Sequence, residues 1–230
     1  MAGVSSRPAY AVARLLLAAW LLTALPAVAD QPPPARAPEA IIRATVDDLE
    51  QAVSACRLVL ATDPAALRSL AHRLLRPHLD VLFAGQVILG KWWGEASPDQ
   101  RRRFAEALYG NLLRRHAPSL LLVTDGMVSI DDSPPPAAGA GEARLAVTVR
   151  VPGYAPVPVT LYFRRTGQHW RVFDARVEDF SPLLQLRNLF SAEIRDTGLA
   201  AVIRRLESEN PPSASPGQRA RQCLDRALGP

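Results

Sequence analysis

Lysine is almost missing from this 230-residue chain: Lys91 stands alone against 26 arginines. The arginines are spread over many segments, singly, in pairs and once as the run Arg101-Arg102-Arg103, so no basic footprint for a nucleic acid forms, and none is expected as a partner. Histidine is scarce too. His72, His78, His116 and His169 show no His-x-x-x-His spacing, and His72 and His78 would lie about 240° apart around a helix. The only cysteines, Cys56 and Cys223, have no metal-ligand spacing, so neither metal nor cofactor is expected. Nor do two cysteines make a disulfide framework. Cys56 reads as a small core residue, and whether it pairs stays open. There is no Gly-x-Ser-x-Gly elbow and no glycine loop leading from strand to helix. The carboxylate pairs Asp47–Asp48, Asp131–Asp132 and Glu178–Asp179 are neighbours in sequence, which point to different sides of a helix or strand and read as solvated charges. Asp174, between Phe173 and Ala175, is the one carboxylate placed for partial burial, with a hydrogen bond or an arginine to satisfy it. None of this is a catalytic set.

What is present begins with an apolar run at residues 15–29, preceded by Arg7 and Arg14 and ending in Ala27-Val28-Ala29. A basic start, a short apolar core and an A-x-A site describe a secretory signal peptide, too short to span a bilayer comfortably. Cleavage after Ala29 removes both arginines and lowers the net charge from +5 to +3. Residues 30–38 then read as a disordered proline-rich leader, 39–208 as a single α+β domain, and 209–230 as a disordered tail. The mildly basic balance fits attraction to anionic membrane surfaces.

Within the domain the chain is organised around residues 80–116. An apolar run stops at Gly90, Trp92-Trp93-Gly94 forms an elbow, and Ser97-Pro98-Asp99-Gln100 opens a new helix with a capping box. Phe104, Leu108 and Leu112 recur every four residues beyond it. The two indoles are either plain core or the wall of an apolar cavity. Upstream, Ile42, Val46, Leu49, Val53 and Leu60 mark a first helix, and Leu67, Leu70 and Leu74 a second that breaks at Pro77. From residue 127 the period changes. Leu145, Val147, Val149 and Val151 alternate with polar residues, Val157 to Phe163 do the same after Pro152-Gly153, and a last strand follows Gly167-Gln168. Four short strands with tight turns make an antiparallel meander with one apolar face, which the remaining helices must cover. Ser181-Pro182 starts another helix, and a last one follows Gly198.

The run from residue 74 to 113, with Pro77, Asp80, Leu89-Gly90, an aromatic at Trp92 or Trp93, Ser97-Pro98-x-Gln100 and Phe104, resembles the signature of the MlaC-type, or toluene-tolerance, family of phospholipid-binding proteins. Trp170, Val172, Asp174, Glu178, Ser181, Arg187 and Phe190 continue the likeness in the same order. The chain departs from that pattern at His116-Ala117, Asp179-Phe180 and Leu186. The resemblance implies a helical layer on the sheet with an apolar cavity between them holding acyl chains. It also implies a periplasmic carrier moving a phospholipid or other membrane lipid between an outer-membrane lipoprotein complex and an inner-membrane ABC-transporter complex. A polycyclic lipid such as a hopanoid is the alternative cargo that it suggests. The expected lining is Phe83, Leu89, Trp93, Phe104, Leu108, Leu112, Val147, Val149, Val159, Leu161, Phe163, Trp170, Phe180 and Phe190, of which at least a third should touch ligand. Arg187 is the candidate neighbour of the head group. Two other classes stay open: an isomerase-like enzyme with Asp174 or His116 as base, and an exported interaction protein whose core is simply full.

Overall fold

The computed structural model describes residues 37–131, 134–137, 139–178, 180–210 and 215–229. The segment read as a signal peptide lies outside them, as do residues 30–36 of the leader and 211–214 of the tail. Helix α1, Pro38–Thr62, carries proline in its first turn and turns Ile41, Ala52, Val53, Cys56 and Leu60 inward. Asp63 ends it and caps α2, Pro64–Leu75, by accepting from the Ala66 amide at 2.9 Å. At Pro77, which has no N–H to continue the ladder, the chain tightens into a 3₁₀ turn, Arg76–His78. It then runs briefly beside a strand. Leu79 bridges Val172, and the Asp80 amide donates to the Val172 carbonyl at 2.8 Å.

Asp80 caps α3, Val81–Leu89, accepting from the Phe83 amide at 3.0 Å. Gly90, at φ +54°, turns the chain into the one-turn α4, Trp92–Glu95. The capping box of Ser97 and Gln100 forms as read and opens α5, Pro98–His116. A 3₁₀ segment, Ala117–Leu122, leads into the sheet. Strands β1 (Val128–Ile130), β2 (Glu142–Val149), β3 (Val157–Thr166) and β4 (His169–Val177) make the antiparallel meander in chain order. Tyr162 faces Asp174 while Phe163 faces Val172, so Phe173 is an extra residue that bulges β4. Ser181 caps α6 (Pro182–Thr197), and Gly198 at φ +81° separates it from α7, Leu199–Ser208.

The helices cover the apolar face of the sheet, as the alternation requires. Leu145, Val147, Phe163 and Trp170 are buried there against Ile41 and Ile42 of α1. A second cluster joins α3, α5, α6 and α7 through Ile88, Leu89, Phe104, Phe190 and Val202. The third corrects the reading of the tail. Residues Gln218–Leu228 form helix α8, which seats Ala220 and Leu224 on Val53, Leu60 and Leu70. Cys56 is indeed buried, but it is bonded to Cys223 in a disulfide spanning 167 residues. The Gly217 amide donates to Asp63 at 2.7 Å and Gln51 donates to the Ala227 carbonyl at 2.6 Å, so both ends of α8 are held. The reason is visible in the sequence: Ala220, Cys223, Leu224, Ala227 and Leu228 make a helical stripe of small and aliphatic residues.

Candidate functional site

Two helices present matching stripes to each other. On α3 these are Val81, Ala84, Gly85 and Ile88, and on α5 Ala105, Leu108, Tyr109 and Leu112, each at i, i+3, i+4 and i+7. Small residues bring the helices close: a Cβ added at Gly85 would come within 2.9 Å of the Ala105 Cβ. Leu79, the bulged part of β4 (Val172, Phe173, Asp174, Ala175) and the first turns of α6 (Pro182, Leu183, Leu186) close the ring. They enclose a partly open cavity of about 250 Å³.

The cavity wall is apolar except for Asp80, Tyr109 and Asp174. Both carboxylates are buried and occupied. Asp80 accepts from the Phe83 amide at 3.0 Å and Thr166 Oγ1 at 2.9 Å, with Arg164 at 3.5 Å. Asp174 accepts from Ser181 Oγ at 2.9 Å, Arg176 Nε at 3.1 Å and the Ala175 amide at 3.0 Å. The bond to Asp174 holds the Arg176 guanidinium above its ordinary pKa. This is the role expected of Asp174, and it leaves neither oxygen poised as a base. His116 is exposed at the end of α5.

Arginines and rings line the outer side of this wall. Phe83 meets Phe173 edge-on with centroids 5.0 Å apart, and the Arg164 guanidinium lies 4.0 Å above Phe83. Tyr162 has guanidiniums 4.3 Å (Arg176) and 5.2 Å (Arg144) from its ring centre. Tyr109 occupies a different place. Its hydroxyl is 3.3 Å from His72 Nδ1, its ring lies 5.6 Å from the Arg76 guanidinium, and burial pushes its pKa up to about 12.

Of the fourteen lining candidates, Leu108 and Leu112 are on the wall. Leu89, Phe104 and Phe190 lie in the helical core behind it, with Phe104 and Phe190 in edge contact at 5.3 Å. Val147, Val159, Leu161, Phe163 and Trp170 belong to the sheet core on α1, and Val149 is half-buried at the end of β2. Phe83 stands beside the wall against Phe173, while Phe180 is 48% exposed at the bridge to Val177. Trp93 is half-buried at the elbow, 5.0 Å from the Arg101 guanidinium, and Arg101 also donates to its carbonyl at 2.9 Å. Both indoles pack on the helical core and neither walls the cavity. Arg187 lies over Gly90, where an added Cβ would meet its Nε at 2.9 Å, and it is not part of the lining. Missing from the expected set were the small residues, Tyr109, and apolar residues such as Val81, Ile88, Val172, Phe173, Leu183 and Leu186. The i, i+3, i+4, i+7 repeat on α3 and α5 was the signal that could have found those on the two helices.

Among the described residues, no group of three or more His, Cys, Asp and Glu side chains could hold a metal ion, and no helix is long and apolar enough to cross a membrane. A family model described as "MlaC protein" matches residues 43–208. The intermembrane phospholipid transport system binding protein MlaC of Haemophilus influenzae is 24% identical over 145 residues, or 60% of this chain. The match spans 65% of the length of that relative. The solved structure of a phospholipid-binding protein from Ralstonia solanacearum, in complex with a phospholipid, has the same fold. It superimposes with a TM-score of 0.68 at 20% identity, over 76% of this chain and 97% of that one.

Proposed function

The chain belongs to the MlaC family, and from that premise we propose that it is a non-catalytic carrier that shields the acyl chains of a phospholipid from water. The observation that carries this reading is the cavity between α3, α5, α6 and β4, whose wall is apolar but for three side chains. Each CH₂ left in water costs about 0.8 kcal/mol, so a lipid crosses an aqueous space only inside such an enclosure. A fully packed interaction protein would have no void there. Phospholipid as the cargo is supported by the name of the Haemophilus relative and by the ligand of the Ralstonia structure. At about 250 Å³ the cavity is below the roughly 300–1,000 Å³ of drug-sized ligand sites. Two acyl chains therefore require its walls to part.

The periplasm is the compartment this reading assigns. The N-terminal run that reads as a secretory signal supports it, and so does the Cys56–Cys223 disulfide, because such bonds persist in oxidising surroundings and are rare in the cytosol. The partners are then an outer-membrane lipoprotein complex and an inner-membrane ABC-transporter complex, with delivery between them.

Native mass spectrometry of protein taken from the periplasm, followed by organic extraction, tests the proposal. Co-purified phospholipid at one molecule per chain is the expected result. A hopanoid would keep the carrier and replace its cargo. An empty protein that takes up nothing from liposomes would overturn the carrier reading.

A further inference from the structure

A phospholipid carries a phosphate that the apolar wall cannot meet, and the structure restricts where that group can go. Asp80 and Asp174 repel an anion, and both are already committed to hydrogen bonds and arginines. Arg164 and Arg176 pair with these same carboxylates and lie over Phe83 and Tyr162, which are not lining residues, so an anion beside either would meet the wall's own negative charge. Arg187 lies over Gly90, away from the lining. Tyr109 is the remaining polar side chain on the wall.

Its surroundings suit a phosphate. His72 is a turn of helix before Arg76, so the two fall on the same side of the chain, toward Tyr109. Arg76 contacts Glu106 through Nη2 at 2.5 Å and remains 30% exposed. That contact engages a single nitrogen of a guanidinium with five N–H donors. With hydrogen on Nδ1, His72 donates to the Tyr109 oxygen and leaves the phenolic proton for a ligand. A phenol holds that proton at neutral pH.

We propose that Tyr109, His72 and Arg76 form a phosphate-recognition site at the cavity wall, which selects phosphate-bearing lipids over neutral ones. The proposal rests on the carrier reading. Tyr109 ties the two halves of the ligand together, its ring touching the chains and its hydroxyl the head group. Glu106 works against the site electrostatically and holds the Arg76 guanidinium in register.

The test compares retention of phosphatidylglycerol and of diacylglycerol with the same chains, using native mass spectrometry on the full chain. Wild type, Tyr109→Phe and Arg76→Gln are loaded from mixed micelles of a non-ionic detergent with each lipid, and thermal unfolding confirms that each variant is folded. Tyr109→Phe keeps the ring on the wall, so it remains informative should Arg76→Gln disturb α5. Losing a charge-assisted hydrogen bond should weaken phosphatidylglycerol about tenfold or more and leave diacylglycerol unchanged. Equal loss of both lipids, or no loss of either, overturns the proposal while the carrier survives. Binding of inorganic phosphate by a wild type that does not prefer phosphatidylglycerol to diacylglycerol also overturns it, since the site would then serve a free anion. A wild type that holds neither lipid overturns the carrier reading along with it.

Discussion

Reducing the Cys56–Cys223 bond is the perturbation whose consequence can be worked furthest. The bond closes a loop of 167 residues, and for that length the chain-entropy relation gives about 5 kcal/mol of stabilisation at 25 °C, an upper bound. Observed effects usually fall nearer 2–4 kcal/mol. Packing then decides what happens to α8. Ala220 and Leu224 remain apolar when the bond is gone, and Gly217 and Gln51 still have their partners. A Cys56→Ser/Cys223→Ser variant should therefore lose about 2–4 kcal/mol with α8 still seated. Truncation after residue 209 should cost more, because it also uncovers Val53, Leu60 and Leu70. Urea unfolding of wild type with and without reductant, of the double variant and of the truncated chain gives the comparison. Hydrogen exchange over residues 218–228 reports whether the helix stays down. An unfolding midpoint that does not move on reduction, with the bond's loss verified by mass, would refute the reasoning. Lipid retention should be untouched throughout, since no residue of α8 lines the cavity.

Other perturbations read out the wall and its supports. Leu112→Trp adds bulk to a half-buried wall position, so the lipid recovered per chain should fall while the unfolding temperature stays within a few degrees. Undiminished lipid would move the binding volume elsewhere. Ser181→Ala removes both the cap of α6 and a hydrogen bond to buried Asp174, which together should cost about 2–4 kcal/mol in chemical denaturation. A change within about 0.5 kcal/mol, the scale of an ordinary surface substitution, would show that Arg176 and the Ala175 amide suffice for Asp174. Hydrogen bonds from Arg103 and Arg205 hold Glu207 and Glu209 below the usual glutamate pKa of 4.5. Their contribution is complete above that value and disappears as pH falls through the lowered one. Wild type and a Glu207→Gln/Glu209→Gln variant should thus differ in stability at neutral pH and converge on acidification. A gap that does not narrow at all as the pH is lowered through the acid range would contradict the assignment.

The sheet and most helices were legible because each is written in a local code. Period-2 alternation marks β2 and β3. Ser97 with Gln100, and Ser181 before Pro182, mark the starts of α5 and α6. Helix α8 and its disulfide were not legible in the same way. Asn210 to Pro216 looks like the start of a tail, and the small residues that seat the helix give a weak hydrophobic signal. Pairing of Cys56 with Cys223 depends on two cysteines 167 residues apart meeting in space, and no local pattern encodes that.

The cavity exposes a more general asymmetry. Large aromatic and aliphatic residues such as Phe104, Phe163 and Phe190 are conspicuous in a sequence, and they fill space so well that they end up fully packed. A void needs the opposite: walls made where facing positions are too small to meet. Ala84 and Ala175 supply that shortfall, Gly85 and Ala105 let α3 and α5 close on each other at one end, and the bulge at Phe173 and the caps at Asp80 and Ser181 fix how β4, α3 and α6 meet the wall. On the carrier reading, binding capacity then depends on small residues carried by rigidly capped elements as well as on the larger residues around them. On that logic, enlarging a small wall residue should damage ligand capacity more, per atom added, than trimming one of the conspicuous aromatics behind it.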